Sequence, residues 1–294
     1  MMVSVIIVNY NTYKLTSKCI QSVINYTKGV DYEIILVDNN STECNADDFL
    51  VKFPTITLIK NPANGGFAQG NNCGIAIAKG KYILLLNSDT YLLEDSISIA
   101  VNQLSILPTV GVLGIKMVYE NKQVQYTARR FRSFWWELLD LFRFFLWFLP
   151  YQKRAKIMLG KYFKMDFAVK CDWVNGAFFL FKKEILSKLP NQKLDDRFFM
   201  YGEDHLWCFQ FAQLGYEAFY TPSTTIVHIN NGSTSVNKQF QLLTRMLENE
   251  LVILKLRYGN SFSYYATVLI YGFKEYGRIG VKWLLLIFTG KLLK

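Results

Sequence analysis

YEIILVDNNS, residues 32–41, is an apolar run rich in β-formers that breaks abruptly into an acid, two amides and a hydroxyl. The same figure recurs at SVIIVNYN (4–11), TITLIKNPANGG (55–66) and YILLLNSD (82–89), and VGVLGIKMV (110–118) adds a fifth apolar run. None alternates cleanly between apolar and polar positions, which is the pattern of strands covered on both faces. Helix-like stretches lie between them near 14–26, 67–79 and 94–106, with Thr12 placed to cap the first. Strands alternating with helices predict an α/β fold with a mostly parallel sheet and right-handed crossovers. A ligand on such a sheet binds beyond the carboxyl ends of the strands. There the sequence sets Asn9–Tyr10–Asn11, Asp38–Asn39–Asn40–Ser41, Asn61–Pro62–Ala63–Asn64–Gly65–Gly66 and Asn87–Ser88–Asp89. Four polar strand ends in succession make one candidate site.

The rest of the composition narrows the class. The 294 residues allow one large domain, or one with an appendage. An apolar content of 51% with 16% aromatics excludes disorder, collagen-like repeats and a disulfide scaffold. Mean hydropathy is high at +0.12, yet no run reaches eighteen uncharged apolar residues, so no spanning helix is expected. Five scattered cysteines without a CxxC pair argue against a zinc site and point to a reducing compartment. The opening MMVSVIIVNYN lacks a positive leader region and runs straight into strand-like sequence, so no signal peptide is expected.

The net charge of +10 is unevenly placed. Residues 129–164 carry +7 and residues 251–294 carry +6, leaving the remainder at −3. Both basic segments are also rich in aromatic and aliphatic residues. In RRFRSFWWELLDLFRFFLWFLPYQKRAKIMLGKYFK, Glu137, Asp140 and Arg143 recur every three residues, leaving Trp, Phe and Leu to cover most of a helix. The second segment ends KEYGRIGVKWLLLIFTGKLLK. Bulky apolar clusters combined with Lys and Arg fit a helix lying in a bilayer interface with anionic headgroups. Nucleic-acid binding fits less well, because single stacking aromatics are not the pattern. Ordinary amphipathic helices packed on the body are the plainer alternative.

Strand-like sequence resumes at CDWVNGAFFLF (171–181) and TTIVHINNGST (224–234), separated by a helix from about 203 to Gly215. From 237 onward the pattern is helical. These features divide the chain into 1–235, with an interfacial insertion at about 129–165, and a C-terminal amphipathic region at 236–294.

Individual residues carry chemistry to different degrees. Asp38 suits a βα turn on its own account and equally suits a carboxylate accepting hydrogen bonds from a base or ribose. Gly65 and Gly66 permit close backbone approach ahead of a helix N-terminus. The loop is neither a Walker A motif nor a dinucleotide fingerprint, since the Gly-Lys-Ser/Thr ending is missing and NYNT, after the first strand, has no glycine. Asp89 can hold a hard divalent cation completed by diphosphate and water, or cap the helix at 94–106. His228, one of two histidines, reads as structural by periodicity, and His205 has no assigned role. Glu203 and Asp204 open a helix where acids are favoured, while Asp195, Asp196, Trp173 and Asn175 would add a polar and aromatic sugar pocket.

In this order, VSVIIVNYNT, VDNNS, NGGFAQGNNCGI, LLLNSDT, VNGAFFLF, GEDHLW and VHINNGS closely resemble the family 2 glycosyltransferases, particularly rhamnosyltransferase-like bacterial members. The resemblance covers roughly residues 2–260. It implies a GT-A fold, a nucleotide-diphospho-sugar donor (dTDP- or UDP-linked), Mg²⁺ or Mn²⁺, and inversion at the anomeric carbon. Carried over by position, Asn9, Asn11, Asp38, Asn40, Asn64, Gly65, Gly66, Asn87 and Asp89 would face the donor. Asp89 and His228 would hold the metal, and Asp204 would be the catalytic base. Trp173, Asn175, Gly176 and Glu203 would border the acceptor. Asn87 stands where the family's metal motif has its first carboxylate, and Gln210 where many members carry an arginine.

The resemblance further implies a glycan or polyprenyl-diphosphate-linked acceptor and a peripheral place at the cytoplasmic membrane face. Partners expected alongside are the membrane surface and a second copy of the chain, with no nucleic acid. A nucleotidyltransferase and a catalytically inactive sugar-binding scaffold of the same fold are the competing readings.

Overall fold

A computed structural model describes residues 2–229 and 236–289, with side chains at 2–229 and 240–281. Asn230 to Thr234 of the VHINNGST stretch, residues 290–294 and the side chains of Lys282 and Trp283 therefore lie outside what is described.

In chain order the first elements are β1 (Met2–Asn9), α1 (Tyr13–Tyr26), β2 (Asp31–Asp38), α2 (Asp48–Lys52), β3 (Thr57–Lys60) and α3 (Gly66–Ile77). Then come β4 (Tyr82–Asn87), β5 (Thr90–Leu92), α4 (Ser96–Ser105), β6 (Val110–Val118), β7 (Val124–Gln125) and β8 (Ala128–Arg129). After α5 (Phe134–Leu141), a 3-10 helix at Arg143–Phe148 and α6 (Tyr151–Met158), strands return as β9 (Val169–Cys171), β10 (Trp173–Val174) and β11 (Phe178–Lys182). The last are α7 (Glu203–Gln213), β12 (Glu217–His228), α8 (Val236–Tyr258) and α9 (Phe262–Thr289).

The main sheet runs β3-β2-β1-β4-β11-β6-β12-β5, with β7 beside β6 and β9 beside β12. Six strands (β3, β2, β1, β4, β6, β12) point one way, and β11 runs against both its neighbours. This is the GT-A arrangement, with a mostly parallel sheet as the apolar runs predicted. The single strand expected at 171–181 is instead three short ones: β9 pairs β12, β10 pairs β8, and β11 enters the sheet. Asn175, whose Oδ1 accepts from Ala177 N at 2.9 Å, makes the turn between β10 and β11.

β11 explains how the sheet is covered. Phe178 and Leu180 join the core that β1, α1 and α4 share. Phe179 and Phe181 face the other way, onto Trp207 and Phe211 of α7, with ring centroids 5.5 and 5.7 Å apart. Each such ring contributes roughly 1.5–3 kcal/mol by leaving water. The packing fixes α7 against the sheet so that its first turn, Glu203–Asp204, comes to the sheet's carboxyl edge, near the loop that leads into β11.

By contacts the chain forms two units, residues 1–130 with 155–231, and residues 131–154 with 232–294. In the second unit α8 and α9 enclose Leu247, Leu254 and Tyr271. Glu137 and Asp140 of α5 point inward. Lys274 meets Glu137 at 2.6 Å and Asp140 at 2.5 Å, and Arg132 meets Glu137 at 2.6 Å. Glu137 is 0% exposed, while Trp147 and Phe148 are 77% and 89% exposed, with Trp135, Phe142, Phe144 and Phe145 also outside. The two acids of this segment thus lie in its interior, while Arg143 and most of its aromatics from Trp135 to Phe148 lie on its surface. On α9, Phe262, Tyr265, Leu269, Phe273 and Tyr276 are likewise exposed. They recur at three- and four-residue intervals and so share one helix face. Among the described residues no helix is long and apolar enough to cross a membrane.

Candidate active site

β1 and β2 end level with one another, Asn9 opposite Asp38. Asn9 Nδ2 donates to Asp38 Oδ1 at 2.7 Å and to Ser41 Oγ at 2.9 Å, and Ser41 N donates to Asp38 Oδ2 at 3.0 Å. Asp38 is only 3% exposed, so this pairing is what allows the carboxylate to be buried there. Asn9 Oδ1 accepts from Thr12 and Thr16 hydroxyls at 3.0 and 2.7 Å. Thr12 occupies the cap position of α1 as expected, but its hydroxyl serves Asn9 rather than the helix's first amides. Asn11, at φ 52°, accepts from Thr42 N at 2.8 Å through its side-chain oxygen, and Asn40, at φ 61°, is exposed.

The neighbouring Asn39, which the sequence placed at the polar strand end without a role of its own, is buried and central. Its Nδ2 donates to Gly66 O at 3.0 Å and its Oδ1 accepts from Asn61 at 2.7 Å, joining the second strand end to the third. Asn64 Oδ1 accepts from Gly66 N at 3.0 Å.

Gly66 sits at φ +83°, and a Cβ there would lie 2.1 Å from Phe199 O. At Gly65 the obstruction is the end of the Gln69 side chain, which can swing away. Gly66→Ala should therefore cost more than about 2 kcal/mol, from left-handed backbone strain plus a backbone clash. Gly65→Ala should stay within about 1 kcal/mol. Urea titration of both variants decides this, and equal midpoints would contradict it.

At the fourth strand end, Asn87 N donates to Ala177 O at 3.1 Å. Asn87 Oδ1 is buried with no hydrogen-bond partner among the described residues. Asp89 does not cap the next helix. Asp95 does, accepting from Ser98 N at 3.3 Å. Asp89 leads instead into β5, whose Thr90 pairs with His228, and Ile229 N donates to Asp89 O at 2.9 Å. This brings His228 Nε2 to 3.3 Å from Asp89 Oδ1. The other ring nitrogen, Nδ1, is 2.8 Å from Gln125 Oε1. Among the described residues no three His, Cys, Asp or Glu side chains cluster as a metal cage. One carboxylate and one imidazole fit a divalent cation whose remaining positions come from diphosphate and water.

The fifth part of the site is the start of α7. Asp204 Oδ2 accepts from Gly176 N at 2.9 Å and Oδ1 from His205 N at 2.8 Å. Burial raises the Asp204 carboxyl above the ordinary range, and the two amide bonds with the His205 and Arg129 charges pull it partway back. Burial, then the Asp204 charge, pushes Glu203 up to about 8. Of the two, Asp204 is the one whose charged form is favoured by the Gly176 and His205 amides. Trp173 stacks on His205 at 5.1 Å and 7°, and the Arg129 guanidinium lies 5.1 Å above the Trp173 ring. Gln210, in the place of the family's arginine, donates to Asp195 Oδ2 at 3.2 Å, the carboxylate that Arg197 also holds at 2.8 Å.

The predicted positions therefore converge. Asp204 touches Gly176, the next residue Ala177 touches Asn87, and Asp89 follows two residues later against His228. Thr12 Oγ1, which holds Asn9, is 3.3 Å from Ser88 Oγ and ties Asp38 into the same edge. Sequence reasoning missed Asn39, Gln125, Arg129 and the ring of His205. Of these only Asn39 lay in a stretch already marked as polar.

The sequence model of Glycosyl transferase family 2 matches residues 4–174. A poly(ribitol-phosphate) β-glucosyltransferase of Bacillus spizizenii is 37% identical over 102 residues, which is 33% of this chain and 16% of that protein. A UDP-Glc:α-D-GlcNAc-diphosphoundecaprenol β-1,3-glucosyltransferase of Escherichia coli is 36% identical over 112 residues, 38% of this chain and 43% of the relative. The chain thus aligns with less than half the length of these curated relatives. The fold is similar to that of a mannosyltransferase from Pyrobaculum calidifontis, solved with GDP-Man and Mn²⁺. That match has a TM-score of 0.59 at 15% identity, over 96% of this chain and 71% of the other. With more than half the sequence matched and the strand-end site assembled on a GT-A sheet, the chain belongs to glycosyl transferase family 2.

Proposed function

We propose that this chain transfers a sugar, rhamnose or a hexose, from a dTDP- or UDP-linked donor to a hydroxyl of a bacterial cell-surface glycan or its lipid-linked precursor, inverting the anomeric carbon. The observation that carries this reading is the placement of Asp204, held by Gly176 N and His205 N at the same sheet edge as the Asp89–His228 pair. Asp38 and Asn9 would fix the loop against which the nucleoside lies, with Asn11 and Asn40 at its rim. The Asn64–Gly65–Gly66 turn and Asn87 would border the rest of the donor. Asp89 and His228 would hold Mg²⁺ or Mn²⁺, which when bound neutralises charge on the departing nucleoside diphosphate. Asp204 would take the acceptor's hydroxyl proton as that oxygen bonds to the anomeric carbon and the bond to the diphosphate oxygen breaks. Trp173, Asn175 and Glu203 would shape the acceptor side, and Arg129 above Trp173 supplies a cation suited to a phosphate-bearing acceptor. The Escherichia coli relative's diphosphoundecaprenol-linked acceptor supports that class. Incubating the full chain and Mn²⁺ with a panel of dTDP- and UDP-sugars should release nucleoside diphosphate from one of them. Release from none, with and without lipid-linked acceptors, would reject the assignment.

The second unit suits a lipid surface. Its residues, 131–154 and 232–294, carry a net charge of +8 (13 Lys/Arg against 5 Asp/Glu), most of its aromatics between 135 and 148 are exposed, and α9 adds an exposed apolar face. Apolar area and positive charge together favour anionic headgroups. Such docking would place the protein at the cytoplasmic membrane face, beside a polyprenyl-linked acceptor. In flotation with vesicles containing anionic lipid, Trp147→Ser with Phe148→Ser should lose at least tenfold in bound fraction, and neutral vesicles should bind weakly. Unchanged flotation of this variant, or self-association in place of lipid binding, would overturn it.

A further inference from the structure

We infer that Gln125 is a positioning residue that presents the imidazole of His228 to a divalent cation through Nε2. The inference rests on the reading of Asp89 and His228 as the groups that hold the cation. It starts from β7, a two-residue strand folded back on the end of β6, where Gln125 lies opposite Met117. From there the buried side chain of Gln125 makes two hydrogen bonds to one residue: Nε2 to His228 O at 2.7 Å and Oε1 to His228 Nδ1 at 2.8 Å.

The first bond decides the second. A backbone carbonyl oxygen only accepts, so the atom facing it must be the amide nitrogen of Gln125. The atom facing Nδ1 is then the amide oxygen, which also only accepts. Nδ1 must therefore carry the hydrogen. In the neutral ring that leaves Nε2 with its lone pair, and Nε2 is the nitrogen lying 3.3 Å from Asp89 Oδ1. A lone pair and a carboxylate oxygen facing each other repel unless a positive charge lies between them, either a proton on Nε2 or a bound cation. A divalent cation displaces that proton, and metal-bound imidazoles are oriented through their second nitrogen in this way. The backbone holds the pair in register as well, since Thr90 pairs with His228 and Ile229 N bonds Asp89 O. With only one carboxylate in the cluster, the orientation of its single imidazole matters more than it would in a cage of several acids.

The test uses the full chain and Mn²⁺, alone and with UDP, with free Mn²⁺ followed by electron paramagnetic resonance. Gln125→Leu removes both bonds and should weaken Mn²⁺ binding ten- to a hundredfold. Gln125→Glu keeps an acceptor for Nδ1–H and should stay within about threefold of wild type, far from the Leu variant. As a readout separate from affinity, ¹⁵N shifts of histidine-labelled protein should show a proton held on Nδ1 of His228 in the wild type and a tautomer mixture in Gln125→Leu. Equal Mn²⁺ affinity in folded Gln125→Leu, or a wild-type ring whose single proton sits on Nε2, overturns the role of Gln125 and leaves the cation site standing. If the wild type binds no Mn²⁺ even with UDP, the cation reading itself falls, and the inference with it.

Discussion

Asp204→Asn is expected to lower transfer by on the order of 10³-fold while leaving donor affinity within a few-fold of wild type. Two backbone amides, Gly176 N and His205 N, donate to the Asp204 carboxylate, and those bonds favour its charged form against the burial that raises both it and Glu203. The asparagine keeps the volume and one acceptor for the Gly176 and His205 amides, but it cannot take a proton. The effect should therefore fall on kcat, with the donor's Kd in calorimetry nearly unchanged. The pH profile gives a second readout. Burial holds the Asp204 carboxyl above the ordinary aspartate value of about 3.9. As pH falls, activity should decline through a midpoint above that figure, because only the deprotonated form can act as base. Near-wild-type turnover in the variant would remove Asp204 from this role. A loss of donor binding equal to the loss of rate would make it structural.

How far the fold was legible depends on where each signal is stored. β1, β2 and β4 are buried on both faces, so their apolar runs announce them, and the polar residues that follow mark the carboxyl edge. The direction of β11 was not legible. An apolar strand reads alike whether it runs with or against its neighbours, and the break at Asn175–Ala177 shows only in the pairing of β10 with β8. The positions of the candidate site were proposed from motif spacing, yet the contacts that bring them together are distant: Asp204 reaches Gly176 across 28 residues and Gln125 reaches His228 across 103. No local pattern marks Gln125, because a glutamine in a two-residue strand carries no periodicity. The segment at 134–148 departs furthest from its surface pattern. Charged residues every three positions suggest a solvated face, whereas Glu137 and Asp140 are buried because Lys274, more than 130 residues later, comes to meet them.

That inversion sets up the largest stability effect expected in the second unit. Lys274→Met should destabilise it by about 3–5 kcal/mol, because Lys274 bridges Glu137 and Asp140 where both side chains have little or no contact with water. Arg132 remains on Glu137 at 2.6 Å, but the variant deprives both buried carboxylates of the ammonium they share. The intact pairing need not be strongly stabilising in itself, since desolvating the charges offsets much of their attraction. Removing one partner exposes that cost in full. Adding Glu137→Gln and Asp140→Asn to Lys274→Met should recover most of the loss at pH 7, since amides cost less to bury unpaired than carboxylates do. Urea titrations of wild type and the two variants at pH 7 measure all of this. A deficit under about 1 kcal/mol, or one unaffected by the added amides, would mean that α5 is held to α9 by its apolar contacts instead.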